Sequence, residues 1–130
     1  MKICVIGTGY VGLVSGVCFS DLGNDVICVD KDENKITGLK EGKIPIYEPG
    51  LEELVKKNLK SGNLKFTTDI KSAIIKSKLV FICVGTPTKS KKGDADLTQI
   101  FNVVKEIRKH IKSFKIIITK STVPVTTGDK

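Results

Sequence analysis

The sequence predicts an α/β fold, a doubly wound parallel sheet with its strands in the order 3-2-1-4-5. Three observations lead there. Short apolar runs at residues 3–6, 26–29 and 79–84 suit strands covered on both faces. Segments with helical spacing lie between the strands, which makes the connections right-handed crossovers. The first run also breaks at Gly7-x-Gly9-x-x-Gly12, and the second ends on an acid, Asp30.

Taken in order, residues 3–6 form strand one. Val11, Val14, Cys18 and Leu22 then recur at helical spacing, with Leu13 and Val17 beside them, and predict the buried stripe of a helix stopped by Gly23-Asn24. Residues 26–29 form strand two, and 32–39 a short helix ending near Gly42. In "GKIPIYEPGLEEL" two prolines and two glycines mark a loop. Pro49 opens a helix carrying Leu51, Leu54, Val55 and Leu59, which Ser61-Gly62-Asn63 ends. Residues 64–67 make a weaker strand at an edge. Thr68 or Asp69 caps a helix running through Ile75. Residues 79–84 are the most apolar strand, followed by the polar loop "GTPTKSKKGDAD". Asp96 caps the next helix with Gln99 as its capping-box partner, and its apolar face reads Leu97, Ile100, Phe101, Val104, Ile107 and Ile111. Residues 116–119 form strand five, and "KSTVPVTTGDK" is a strand-to-helix turn.

The 130 residues fit one domain able to bury a core without disulfides. A six-stranded nucleotide fold needs one more helix and strand. The expectation is therefore an incomplete domain, residues 1–130, truncated before the sixth strand, with other domains elsewhere in a larger protein. Lys plus Arg outnumber acids 22 to 14, a formal +8. The lysines are spread along the chain without interleaved aromatics, which argues against a nucleic-acid surface and for solvated helix faces and loops. Cys4, Cys18, Cys28 and Cys83 lack the paired spacing of a metal site and read as small buried apolar residues in a reducing cytoplasm. The chain enters a strand at once, leaving no room for a signal peptide, and no apolar run approaches the ~18 residues of a membrane span.

The glycine motif gains its meaning from its surroundings: a strand before Gly7, a helix after Gly12, and Asp30 closing strand two. Asp30 lies 18 residues past Gly12, close to the ~20 of the Rossmann dinucleotide fingerprint. In that fingerprint Gly7 permits the tight turn, Gly9 lets a pyrophosphate reach the backbone, and Gly12 lets helix and strand pack closely. The helix N-terminus offers unpaired N–H groups to phosphate. Asp30 can accept from both ribose hydroxyls, and its charge repels a 2′-phosphate, so NAD is favoured over NADP. Lys31 and Lys35 lie nearby.

Ligands of open α/β sheets bind beyond the strand ends. Two turns there carry polar groups: "VGTPT", with Gly85, Pro87 and Thr86, and "KSTVP", with Ser121 and Thr122. "YEPGL" is a third stretch, in which Glu48 either favours a helix dipole or serves binding. Lys89, Lys91 and Lys92 cluster in a loop, and His110 reads as a solvated residue near a helix end. No nucleophile–base pair stands out.

In combination these residues resemble the UDP-glucose/GDP-mannose dehydrogenase family. The matching stretches are "MKICVIGTGYVGLVSG", "CVDKDENKI", "GKIPIYEPGLEEL", "FICVGTPT" with "DADLTQI", and "KSTVPVTTGDK". They run in family order over the whole chain, which corresponds to the N-terminal NAD-binding domain. The resemblance implies oxidation of a nucleotide-sugar alcohol to the acid with two NAD+, UDP-glucose being the favoured substrate over GDP-mannose or UDP-N-acetylmannosamine. It implies that Gly7, Gly9, Tyr10, Val11 and Gly12 line the pyrophosphate and that Asp30 and Lys35 hold the adenosine ribose. It further implies that Thr86 lies by the cofactor, that Thr122 contacts the cofactor and helps position a catalytic water, and that Glu48 lies near the active-site crevice. Thr126 departs from the glycine common in the family. The family's nucleophilic cysteine and catalytic lysine belong to segments outside these residues, so this chain alone is expected to bind NAD without turnover. A homodimer or larger assembly is expected of the full enzyme. Regulatory NAD-sensing modules open with the same strand, glycines and acid, but "YEPGL", "GTPT" and "STVP" are not expected in them.

Overall fold

The computed structural model describes residues 1–44, 48–84, 98–111 and 115–119. The elements are β1 (Lys2–Ile6), α1 (Tyr10–Asp21), β2 (Asp25–Val29), α2 (Glu33–Lys40), α3 (Leu51–Ser61), β3 (Leu64–Thr67), α4 (Ile70–Lys76), β4 (Leu79–Ile82), α5 (Thr98–His110) and β5 (Ile116–Thr119). Five strands form one sheet in the order β3-β2-β1-β4-β5, every pair of neighbours parallel. This is the predicted doubly wound topology. The register sets Ile3 opposite both Val26 and Leu79, so the first and fourth strands end side by side. β4 is shorter than expected, ending at Ile82.

Successive strand residues point to opposite faces, and both faces are covered. On one, Val5, Val26, Cys28 and Phe66 pack with Leu13 and Val17 of α1, Ile36 and Leu39 of α2, and Leu51 and Val55 of α3. On the other, Cys4, Ile6, Val29, Val80 and Ile82 pack with Ala73 and Ile74 of α4 and Ile107 of α5. Fully burying a Val, Leu, Ile or Phe side chain contributes about 1.5–3 kcal/mol. Phe19 and Phe81 meet with ring centroids 4.9 Å apart. Helix starts follow the sequence where a carboxylate is present: Asp32 accepts from Lys35 N and Asp69 from Ser72 N. α3 begins at Leu51 with Gly50 at its N-cap, two residues past the expected Pro49.

The buried face of α1 differs from the expected stripe. The residues turned inward are Gly12, Leu13, Gly16, Val17 and Ser20, whereas Cys18 is exposed and Leu22 is 80% exposed. The helix lies so close to the sheet that only small residues fit along the line of contact. A Cβ on Gly16 would stand 2.6 Å from Cys28 Sγ. Counting apolar residues alone misses a seam made of glycine and serine. Cys18 is thus not a core residue, while Cys4, Cys28 and Cys83 are.

The apolar face expected of α5 is also only partly used. Ile107 is buried, but Phe101 is 57% exposed, and Val104 and Ile111 are exposed with Ile116 and Ile117 of β5. β5 is the edge of the described sheet, so no described strand beyond it lies beneath that face. Asp96, Leu97 and the expected partnership with Gln99 lie outside the described residues. Among those residues, no helix is long and apolar enough to cross a membrane.

Candidate functional site

The connection from β1 to α1 is short, and its glycines do different things. Gly7 has φ +104°, and a Cβ there would sit 2.6 Å from Cys83 O. Its N–H donates to Val29 O at 2.7 Å, which ties the turn to the neighbouring strand ends. A Cβ on Gly12 would fall 1.9 Å from Gly7 O, so the first turn of α1 rests directly on the turn backbone. Both positions exclude a side chain for reasons internal to the fold.

Gly9 is the exception. It has ordinary extended backbone, φ −72° and ψ −167°, and a Cβ there meets nothing within 4 Å. The described residues do not themselves require glycine at this position. The space left open lies at the N-terminus of α1, where no side chain caps the helix and no acid stands in the first turn. Tyr10 and Val11 are exposed at its rim. Unpaired N–H groups, positive helix dipole and clear approach to the backbone together suit an anionic group such as a pyrophosphate.

Asp30 follows β2 directly and is held from two sides. Its Oδ2 accepts from Thr8 N at 3.0 Å and from Thr8 Oγ1 at 2.7 Å. Its Oδ1 accepts from Asp32 N at 3.0 Å, and Lys35 Nζ stands 3.7 Å from Oδ2. Partial burial would raise the pKa of this carboxyl. The hydrogen bonds from Thr8 and Asp32 and the charge of Lys35 outweigh it, so the group is held below the usual carboxylate range. Asp30 is therefore an oriented anion beside the glycine turn. Lys35 reaches it because α2 begins immediately after Asp32, which makes Lys35 the third residue of that helix. Lys31, the other nearby cation, is exposed.

Thr8 is not legible as a site residue in the sequence. It occupies the variable position of Gly7-x-Gly9, is fully buried, and reaches Asp30 only because β1 and β2 are neighbours. A small hydroxyl residue at that position is the one signal available in the sequence.

Tyr10 and Glu48, expected at the cofactor and at the crevice respectively, meet each other: the Tyr10 hydroxyl donates to Glu48 Oε2 at 2.9 Å. That hydrogen bond and the carboxylate charge push the Tyr10 phenol above its ordinary pKa. His110 is not freely solvated, since its side chain is 20% exposed and its Nε2 stands 3.5 Å from Glu106 Oε2. Burial pushes the Cys4 thiol up to about 12 and raises Cys28 further, so neither supplies a thiolate near neutral pH. Among the described residues no group of His, Cys, Asp and Glu could hold a metal ion. Tyr47, Gly85, Thr86, Pro87, Ser121, Thr122, Thr126 and the Lys89, Lys91 and Lys92 cluster lie outside the described residues.

The comparisons agree with this geometry. The model of the UDP-glucose/GDP-mannose dehydrogenase family, NAD binding domain, matches residues 1–130. The chain is 57% identical to UDP-glucose 6-dehydrogenase of Rhizobium meliloti (strain 1021), covering 100% of this chain and 30% of the relative. It is 58% identical over 127 residues to UDP-glucose 6-dehydrogenase TuaD of Bacillus subtilis (strain 168), covering 98% of this chain and 27% of the relative. Among solved structures, a ternary complex of GDP-mannose dehydrogenase from Pseudomonas aeruginosa superposes with a TM-score of 0.93 at 44% identity, over 100% of this chain and 30% of that one. The UDP-N-acetyl-mannosamine dehydrogenase Cap5O from Staphylococcus aureus gives 0.89 at 33% identity, over 100% and 31% of the respective chains. The chain thus spans less than a third of the length of these relatives.

Proposed function

The chain belongs to the UDP-glucose/GDP-mannose dehydrogenase family, whose NAD-binding domain it matches throughout, and from that premise we propose that it is the cofactor-holding part of an enzyme oxidising UDP-glucose to UDP-glucuronate. Converting a primary alcohol to a carboxylate removes four electrons as two hydrides and adds one water, so two NAD+ are consumed. When bound, NAD+ supplies the hydride acceptor. The described residues bind and orient. The open backbone at Gly9 and the first turn of α1 receive the pyrophosphate, with Gly7, Tyr10, Val11 and Gly12 around it. Asp30, with Lys35 beside it, holds the adenosine ribose. By resemblance to the family, Thr86 is assigned to the cofactor, Thr122 to the cofactor and the catalytic water, and Glu48 to the crevice.

UDP-glucose is preferred over GDP-mannose and UDP-N-acetylmannosamine because the two curated relatives described above are, by name, UDP-glucose dehydrogenases and share more of the sequence than the two solved neighbours. Cys4 and Cys28, reduced in the core, fit a reducing cytoplasm, and the full enzyme is proposed to be a homodimer or larger assembly. The domain is proposed to occupy residues 1–130, with substrate-binding and C-terminal domains elsewhere.

The observation that carries the cofactor reading is the Asp30 carboxylate, ionised and fixed beside an open glycine turn. Asp30→Ala is expected to weaken NAD binding by the ~1–3 kcal/mol of a lost charged hydrogen bond, measured by calorimetric titration. Unchanged affinity would sink this reading. The 130 residues alone are expected to produce no NADH from UDP-glucose, because a nucleophilic thiol must reach the reacting carbon: Cys4, Cys28 and Cys83 are buried, and the exposed Cys18 sits in the last turn of α1, at the far end of that helix from the glycine turn. Steady nicotinamide reduction by a pure preparation would overturn that expectation and make Cys83 the first residue to replace.

A further inference from the structure

Thr8 has no place in the reading above, yet it makes two of the hydrogen bonds that fix Asp30. An ionised carboxylate offers about four acceptor sites, two on each oxygen. On Oδ2 both are taken, by Thr8 N–H and Thr8 Oγ1–H. On Oδ1 one is taken, by Asp32 N–H. A single strong acceptor site remains, and it is on Oδ1. Thr8 is itself fully buried, and Asp30 has only 16% of its side chain exposed.

We propose that Thr8 is a positioning residue for cofactor selectivity: its buried hydroxyl locks the Asp30 carboxylate so that Oδ1 alone accepts a ribose hydroxyl and the charge cannot swing away from a 2′-phosphate. The proposal rests on the assignment of Asp30 to the adenosine ribose. It changes one expectation, since Asp30 then accepts from one ribose hydroxyl and not from two. Removing the Thr8 hydroxyl frees an acceptor site on Oδ2 and leaves the carboxylate hydrogen-bonded by the main-chain N–H groups of Thr8 and Asp32 alone, so that it is less firmly oriented. NAD then loses a pre-oriented partner, while NADP gains a way to avoid the charge. The main-chain bond from Thr8 N remains, so the turn keeps its shape.

The test titrates NAD and NADP by calorimetry into the protein and its Thr8→Val, Thr8→Ser and Asp30→Ala variants. Thr8→Val, nearly isosteric, is expected to weaken NAD roughly fivefold to tenfold and to narrow the NAD-over-NADP preference. Thr8→Ser, which keeps the hydroxyl, is expected to restore both. Thr8→Ala carries the same expectation as Thr8→Val and replaces it should the valine variant not fold. Equal weakening of both cofactors would mark a merely structural role and overturn the proposal, as would unchanged binding or a serine variant no better than valine. If Asp30→Ala leaves NAD binding unchanged, the ribose assignment itself fails. If Asp30→Ala weakens NAD and Thr8→Val does not, only the role of Thr8 falls.

Discussion

Gly9→Val is expected to reduce NAD binding by on the order of a hundredfold or more while leaving the fold intact. The two halves of this result have separate causes. A Cβ at Gly9 meets no protein atom within 4 Å, and the backbone there is extended, at φ −72°, which a β-branched residue adopts without strain. Valine is a poorer N-cap than glycine but stiffens the unfolded chain. These effects oppose each other, so stability should change by less than about 1 kcal/mol. The isopropyl group instead fills the space in front of the first turn of α1, where a pyrophosphate would approach. Thermal unfolding followed by circular dichroism checks the first half, and titration with NADH, followed by nicotinamide fluorescence, checks the second. Normal binding by a folded variant would mean that this space is not the phosphate site.

Gly12→Ala should do the reverse. The added Cβ falls 1.9 Å from Gly7 O and 3.1 Å from Cys83 Cβ. The nearer atom is backbone in a turn already fixed by the bond from Gly7 N to Val29 O, so no side chain can move aside. Overpacking of this kind stands at the upper end of its usual range, about 3 kcal/mol, and should lower the melting temperature by roughly 10 °C. Differential scanning calorimetry measures it directly. A melting point close to that of the parent would show that α1 can move off the turn freely, and that its close seating does not fix the geometry of the site.

The strands and their order are legible because both faces of a parallel sheet are covered, so its strands are written as unbroken apolar runs with few alternative readings. The place of Asp30 follows from those strands. The seam of α1 is not legible, because Gly12, Gly16 and Ser20 carry no hydrophobic signal even though they decide which side of the helix faces inward. α5 misleads in the opposite direction. Phe101 and Val104 have helical spacing, but spacing says which residues share a face and not whether anything lies beneath it. Thr8 gives no warning because its partner is 22 positions away and meets it only when the first two strands lie side by side. Glu48 stands out in the sequence, but its hydrogen bond to Tyr10 depends on how the segment before α3 returns to the glycine turn.

The placement of β1 between β2 and β4 sets an order of events during synthesis. Of these strands Lys2–Ile6 leaves the ribosome first, and β2 soon offers it one neighbour. Its other neighbour, Leu79–Ile82, is made only after β2, β3 and four helices. Until then a nascent chain carries β1 with one edge of backbone N–H and C=O groups unpaired, the kind of edge that recruits other strands. Pairings so distant along the chain also close slowly. The strand from which the nucleotide turn springs is therefore the one that waits longest for completion, and capacity to hold a dinucleotide should emerge late in folding, after much of the helical content is already present.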